Sequence, residues 1–346
     1  MEFDLKKARE LSYISKLCGQ DERLVQAGGG NTSVKLDDRY MLVKASGYHL
    51  TDVTEKSGYA VADYRLITDI FNSGEVDDNQ EAAILSKALI EGGRPSIETF
   101  LHSVTGRYTI HTHPLGVTMY AAAEGGMERL SEMFPDSVAV EYATPGIKLA
   151  KKYYAAVRSK PDAKLIFLKN HGMLVSADTP EDSLELHTRT VKKIDESLGL
   201  DTAVYDTSRR LFEALQEIQP GMIAYQTDTQ AVNAAVERAG GAWGHAYSPD
   251  CVVYGGGSIA VLKNDLVGEL RKHKEKYGMA KAAIADGYVF AIAENMKAAI
   301  DIACILDFSA KVYLSGKGRK LIELDSAERS FLLNWDSEKY RASLKN

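Results

Sequence analysis

Apolar residues at Leu5, Ala8, Leu11, Ile14 and Leu17 recur every three or four positions, the spacing of one helix face, and Gly19 follows as a stop. The period then changes to that of strands. Residues 33–36 and 40–44 flank an Asp37-Asp38 turn and predict a β-hairpin, and short apolar runs predict further strands at 108–113 and 165–168. Pro114 is placed to open a helix running to Ala123. Thr179 as N-cap with Pro180 at the first position predicts another, striped by Leu184, Leu186, Val191 and Ile194. A polar stretch, 201–210, reads as a linker. Beyond it, helical patterns at 211–218, 228–239, 266–276 and 296–306 alternate with strand patterns at 252–254, 259–262 and 287–293, which predicts a second, smaller α/β unit. The boundary between the two falls at 203/204.

Composition narrows the class without naming a reaction. A chain of 346 residues with 45% hydrophobic content is long enough for about two domains. A net charge of −6 shows no basic excess of the kind a nucleic-acid footprint needs. Cys18, Cys251 and Cys304 lie far apart without C-x-x-C spacing, so neither a disulfide framework nor a thiolate metal site is indicated, and a reducing cytoplasm is the expected compartment. The N-terminus, MEFDLKKARELSYISKL, lacks an apolar signal core, and no run reaches the roughly 18 apolar residues of a membrane span. No membrane and no nucleic-acid partner is expected.

The stretch PSIETFLHSVTGRYTIHTHP carries the candidate chemistry. His111 and His113 are two apart on a predicted strand, so both imidazoles point to one face near the strand end. Taken alone, such a pair is equally two hydrogen-bonded surface histidines. A third, His171, stands before Gly172 between two apolar runs in KLIFLKNHGMLVSAD. Three histidines and an acid, here Glu98, are the complement of a catalytic zinc: three neutral nitrogens hold the ion and the fourth position accepts an oxygen.

Upstream, AGGGNTSVK places three glycines before a strand. Such a loop can turn backbone N–H groups and the Asn31 amide toward an anion. It is neither a dinucleotide fingerprint nor a P-loop, because both need a helix directly after the glycines and a hairpin follows here. A tight turn with no ligand remains an equal reading. The hairpin ends at a second small-residue turn, Lys44 to Gly47, and the two turns could converge with Ser96 on one phosphate. The candidate anion contacts are therefore Gly30, Asn31, Lys44, Ser46, Gly47 and Ser96. A later echo, YGGGSIAVLKND, reads better as a chance glycine turn than as a second phosphate loop.

Taken in order, AGGGNTSVK, VKASG, the Glu98 segment, HTHP, YATPG and KNHGMLV resemble the class II aldolase/adducin family over about residues 5 to 200. The resemblance implies an α/β/α domain around a mostly antiparallel sheet over 1–203. It implies zinc or another divalent metal on His111, His113 and His171, Glu98 as catalytic acid/base, and a substrate phosphate near Asn31, Ser46, Gly47 and Ser96. The activity implied is cleavage of a ketose 1-phosphate, such as rhamnulose- or fuculose-1-phosphate, to dihydroxyacetone phosphate and an aldehyde through a metal-stabilised enediolate. A cytoplasmic homo-oligomer, a tetramer by resemblance, is implied as well. Alternatives within the family are a sugar-phosphate epimerase or dehydratase, or a non-enzymatic adducin-like interaction module.

The pattern has departures. The proton-donating tyrosine that fuculose-phosphate aldolases carry after the histidine pair has no counterpart in 128–134; Tyr120 and Tyr142 are nearest, and each reads better as a packing residue. Ile97 stands where a second small hydroxyl residue is usual. GYVFAIAENMKAAIDIACILDF and FLLNWDSEKYRASL resemble the segment joining aldolase to dehydrogenase in fused rhamnulose-phosphate enzymes. No G-x-G-x-x-G follows a strand, so no NAD binding and a free-standing lyase are expected.

Overall fold

The first helix, Leu5–Gly19, is capped by Asp4, whose carboxylate accepts from the Lys7 amide, and it buries Leu11 and Ile14 completely. The middle of its stripe is core, as the periodicity predicts, while Leu5 at its start is exposed. The chain, known from a computed structural model that describes residues 4–74 and 76–334, divides into two compact units, Met1–Thr202 and Ala203–Asn346.

The first unit is built on an eight-stranded sheet: β1 (Asn31–Lys35), β2 (Tyr40–Lys44), β3 (Tyr59–Asp63), β4 (Leu89–Gly92), β5 (Tyr108–Thr112), β6 (Val138–Val140), β7 (Leu165–Leu168) and β8 (Gly172–Ala177). Their spatial order is β4-β3-β2-β1-β5-β8-β7-β6, and every pairing is antiparallel except β6 with β7. The central strands are buried on both faces. One face carries the core of Ile67, Phe71, Phe100, Tyr153, Ile166 and Leu174. The helix Pro180–Ser197 lies against β5 and β8. Double burial explains why β7, LIFL, reads as an apolar run rather than as alternation, and why the polar residues of β5, YTIHT, are buried as well.

Several boundaries differ from the sequence reading by one or two residues, among them the end of β5, at Thr112 rather than 113. Strand β1 begins two residues early, at Asn31, because Asn31 already pairs with His111 on β5. Pro114 caps the helix Leu115–Ala122 from outside rather than filling its first position.

The second unit has four strands, β9 (Ile223–Gln226), β10 (Ala260–Leu262), β11 (Ala282–Ala285) and β12 (Tyr288–Ala293), in the order β10-β11-β12-β9. Only β10 and β11 run parallel. Here the sequence reading needs more correction. The stretch read as a linker is helical from Ala203 onward, since Val204, Thr207, Ser208 and Leu211 bury one face of the helix Ala203–Ile218. The expected strand at 252–254 lies in a helix, Pro249–Gly255, that Ser248 caps and Pro249 opens. Strands β9 and β11 were not anticipated. The link from β11 to β12 is a two-residue loop, Asp286-Gly287, with both residues at positive φ, the conformation that tight hairpins require. Residues 335–344 of the C-terminal motif lie outside the described residues.

Candidate metal centre

The end of β5 fixes the site. His111 is the fourth residue of the strand and His113 follows it directly, so both side chains leave the same sheet face. The His113 amide donates to the Leu24 carbonyl, which pins the chain just beyond the strand. His171 arrives from the turn between β7 and β8, where Asn170 adopts φ +51° and so reverses the chain in three residues. Because Thr112 pairs with Met173, that turn stands beside the end of β5. Glu98 precedes the short helix Thr99–His102, and its amide donates to Ser96 Oγ at 3.2 Å.

The four side chains converge. His111 Nε2 lies 3.1 Å from Glu98 Oε1, 3.3 Å from His171 Nε2 and 3.1 Å from His113 Nε2, and Glu98 Oε1 lies 3.2 Å from His171 Nε2. A tetrahedral ion with ligands at about 2.0 Å has ligand-to-ligand edges of about 3.3 Å, so the donor set fits a zinc-type ion. Lone pairs aimed at one point repel one another unless a proton or cation lies between them, and this is the second reason for the fit. Among the described residues these four form the one group of three or more His, Cys, Asp or Glu side chains placed to hold a metal ion.

Orientation and charge follow from the neighbours. His111 Nδ1 donates to the Met173 carbonyl at 2.8 Å, which leaves the Nε2 lone pair facing the centre. Burial disfavours the charge on Glu98, but the facing His111 and His171 outweigh it and hold the carboxyl well below its usual range. Burial acts against the charged form of His111 too, and Glu98 with the Met173 carbonyl reverses the balance upward. Burial and the neighbouring His111 push His113 down to about 3. An ionised Glu98 and a neutral His113 are in the forms that ligate a divalent cation.

The candidate anion contacts are brought together only in part. Lys44 Nζ donates to the carbonyls of Gly28 at 3.3 Å and Tyr48 at 2.7 Å, linking the glycine loop to the second turn. The Ser46 amide donates to the Arg94 carbonyl, and Ala45 bridges Pro95, so the Ser46–Gly47 turn and the Ser96 segment are neighbours. Ser46 and Gly47 are exposed, whereas Gly30, Asn31 and Lys44 are buried. Asn31 stands opposite His111, and neither atom of its buried amide has a hydrogen-bond partner. Burial lowers the Lys44 pKa, against the pull of Glu98 and Asp52.

Other side chains have plain roles. His187 is buried and hydrogen-bonds Thr112 Oγ1 at 2.7 Å, a packing role behind β5. Tyr120 meets Ser197 Oγ through its hydroxyl, while Tyr142 is exposed rather than packed. The sequence reading passed over His102, which is fully buried, hydrogen-bonds Ser33 Oγ at 2.7 Å through Nδ1, and is pushed down to about 3 by burial and then by His111. Its place four residues after Glu98, one helical turn on, was the available signal. Orientation of His111 by a backbone carbonyl leaves no such signal.

Comparison with known proteins bears on family and fold. Residues 9–192 match the family model described as the Class II Aldolase and Adducin N-terminal domain. The chain is 30% identical over 206 residues to the uncharacterized oxidoreductase YuxG of Bacillus subtilis (strain 168), an alignment covering 56% of this chain but only 29% of that protein's length. Among solved structures, the N-terminal class II aldolase domain of a conserved protein from Thermoplasma acidophilum superposes with a TM-score of 0.50 at 24% identity. It covers 57% of this chain and 95% of that one, and supports the fold alone. With more than half of its residues matched by that family model, the chain belongs to the class II aldolase and adducin N-terminal domain family.

Proposed function

We propose that the first unit is a metal-dependent aldolase that cleaves a ketose 1-phosphate to dihydroxyacetone phosphate and an aldehyde. The observation that carries this is the convergence of three imidazole Nε2 atoms and Glu98 Oε1 beside a buried Asn31 amide that the protein leaves unpartnered. His111, His113 and His171 would hold the ion, of zinc type by its donor set. Such an ion, when bound, supplies Lewis-acid polarisation of a substrate carbonyl.

The chain's own residues do the rest. Glu98 is the one carboxylate in the cluster, and it moves a proton at the carbon next to the carbonyl, the step that general-base catalysis accelerates by roughly 10² to 10⁴. Glu98 is held by hydrogen bonds rather than by an ion pair with Lys or Arg, so it can turn from the histidines toward substrate. Asn31, Gly30 and the Lys44 ammonium would receive the phosphate, with Ser46, Gly47 and Ser96 around it. Phosphate binding there uses a remote group to position the reacting carbons. Both amide atoms of Asn31 are unpaired, and a buried polar group without a partner is costly, so a polar ligand atom completes it.

The experiment is a panel of ketose 1-phosphates incubated with metal-loaded protein, with products identified by mass spectrometry. Dihydroxyacetone phosphate and an aldehyde are expected. An epimeric sugar phosphate or a dehydrated product from the same panel would replace the lyase reading with the corresponding family reaction.

A further inference from the structure

His111 and His113 point at one centre but are held there by different means. His111 is oriented through Nδ1 by the Met173 carbonyl. For His113, among the described residues, Nδ1 has no protein hydrogen bond. Two glycines stand beside the ring instead. A Cβ at Gly29 would stand 2.9 Å from the Gln26 carbonyl oxygen and, on one edge of the imidazole, 3.1 Å from His113 Nδ1 and 3.2 Å from Cε1. A Cβ at Gly172 would stand 2.7 Å from Cδ2, on the other edge, and closer still to the Thr112 carbonyl oxygen. Nε2 faces the cluster.

Neither glycine is there for its backbone. Gly30, Gly47 and thirteen other glycines adopt positive φ, but Gly29 and Gly172 are not among them. At neither position is φ one reserved for glycine, and what excludes a side chain is space, taken by the imidazole together with a backbone carbonyl oxygen, that of Gln26 at Gly29 and that of Thr112 at Gly172.

We propose that Gly29 and Gly172 are the two walls of a slot that fixes the His113 ring with Nε2 toward the ion, making both glycines positioning residues of the metal centre. The slot does sterically for His113 what a hydrogen bond does for His111. An imidazole turned even modestly out of line loses overlap with the ion, and residues that orient ligands in this way typically govern metal affinity by about 10- to 100-fold. The inference rests on reading the cluster as a metal site.

The test uses the full chain with Co²⁺ as probe, since its visible absorption reports the number and arrangement of ligands. Gly29→Ala is expected to bind Co²⁺ at least tenfold more weakly and to change the intensity of that absorption, with a thermal midpoint close to the parent's. Gly28→Ala is the control, because a Cβ there meets nothing within 4 Å, and it should behave as the parent. In a His113→Ala background, Gly29→Ala should cost no further affinity. Parent-like affinity and spectrum in Gly29→Ala, or losses that simply add in the double variant, overturn the slot. A crystal structure of the metal-free parent gives an independent reading that needs no variant to fold: one His113 ring orientation supports the proposal, and two rotamers overturn it. A parent that binds no Co²⁺ would refute the metal reading instead, and the ring orientation would still decide the slot.

Discussion

Two segments of this chain share a glycine triplet followed by a strand, AGGGNTSVKLDD at 27–38 and YGGGSIAVLKND at 254–265, and the structure makes different objects of them. The first triplet leads into β1 in the middle of an eight-stranded sheet, between β2 and β5. There Gly30, at φ +68°, is packed against the His111 carbonyl, and Asn31 lies opposite His111 with its amide unpartnered. The second triplet ends a helix: Gly256, at φ +85°, caps Pro249–Gly255, and the strand that follows is the three-residue edge strand β10.

Cations stand near the second triplet too. A cavity of about 750 Å³ there is lined by Gly256, Gly257, Lys276, Lys281 and Arg329, among others. Yet Lys281 donates to the Val253 carbonyl, and Arg329 donates to the carbonyls of Leu324 and Gly257 and pairs with Glu323. Those cations complement the carbonyl ends of the helix and loop. Glycines make a turn in both places. Whether the turn is a site depends on what stays unsatisfied beside it.

Removing the centre that faces the first segment has the largest expected effect. Alanine at His111, His113 and His171 together should abolish both bound metal and turnover, and metal analysis showing about one ion per chain in that variant would break the contrast at its root. Next is Glu98→Gln, expected to keep metal and fold while lowering kcat by roughly 10²-fold or more. Wild-type turnover in it would remove Glu98 as the base.

Asn31→Asp addresses the glycine segment directly. A carboxylate where a phosphate must sit is expected to cost about 2 kcal/mol, or roughly 30-fold in kcat/KM, with metal content unchanged. Normal activity in that variant would reduce the first triplet to a bare turn like the second.

A smaller effect lies behind β5. Burial holds His187 down to about 4 from an ordinary 6.5, so between those pH values the unfolded chain takes up a proton that the folded chain refuses. Stability should therefore fall as pH drops from 6.5 toward 4, and His187→Gln should flatten that fall in urea midpoints measured against pH. The smallest effect sharpens the comparison most. Ser258 occupies the place in the second segment that Asn31 has in the first, and Ser258→Asp should leave kcat/KM within about twofold of the parent.

Much of this was legible along the chain. The 3.6 period gave the first helix, Thr179-Pro180 gave the start of another, and H-x-H spacing on a strand is enough to put two imidazoles on one face, because that geometry is local. The ordered motifs carried the family, since a set of residue types in sequence is what a family conserves in recognisable form. The second unit was harder. Ser248 and Pro249 outweigh the apolar pair Val252-Val253 that suggested a strand, and β11 is three alanines and Ile284, which read equally as helix or strand.

What the tertiary structure alone decided is which distant groups meet. That His171 joins the pair on β5 depends on β8 pairing with β5 across some sixty residues of chain. That Asn31 faces His111 depends on the β1–β5 register, which a one-residue slip would reverse. The Met173 carbonyl behind His111 and the bare Cα atoms of Gly29 and Gly172 beside His113 are backbone, and backbone has the same composition everywhere. Residue types determine what chemistry a chain can hold. Long-range pairing, which sums many weak contacts that no short segment encodes, determines where that chemistry is assembled.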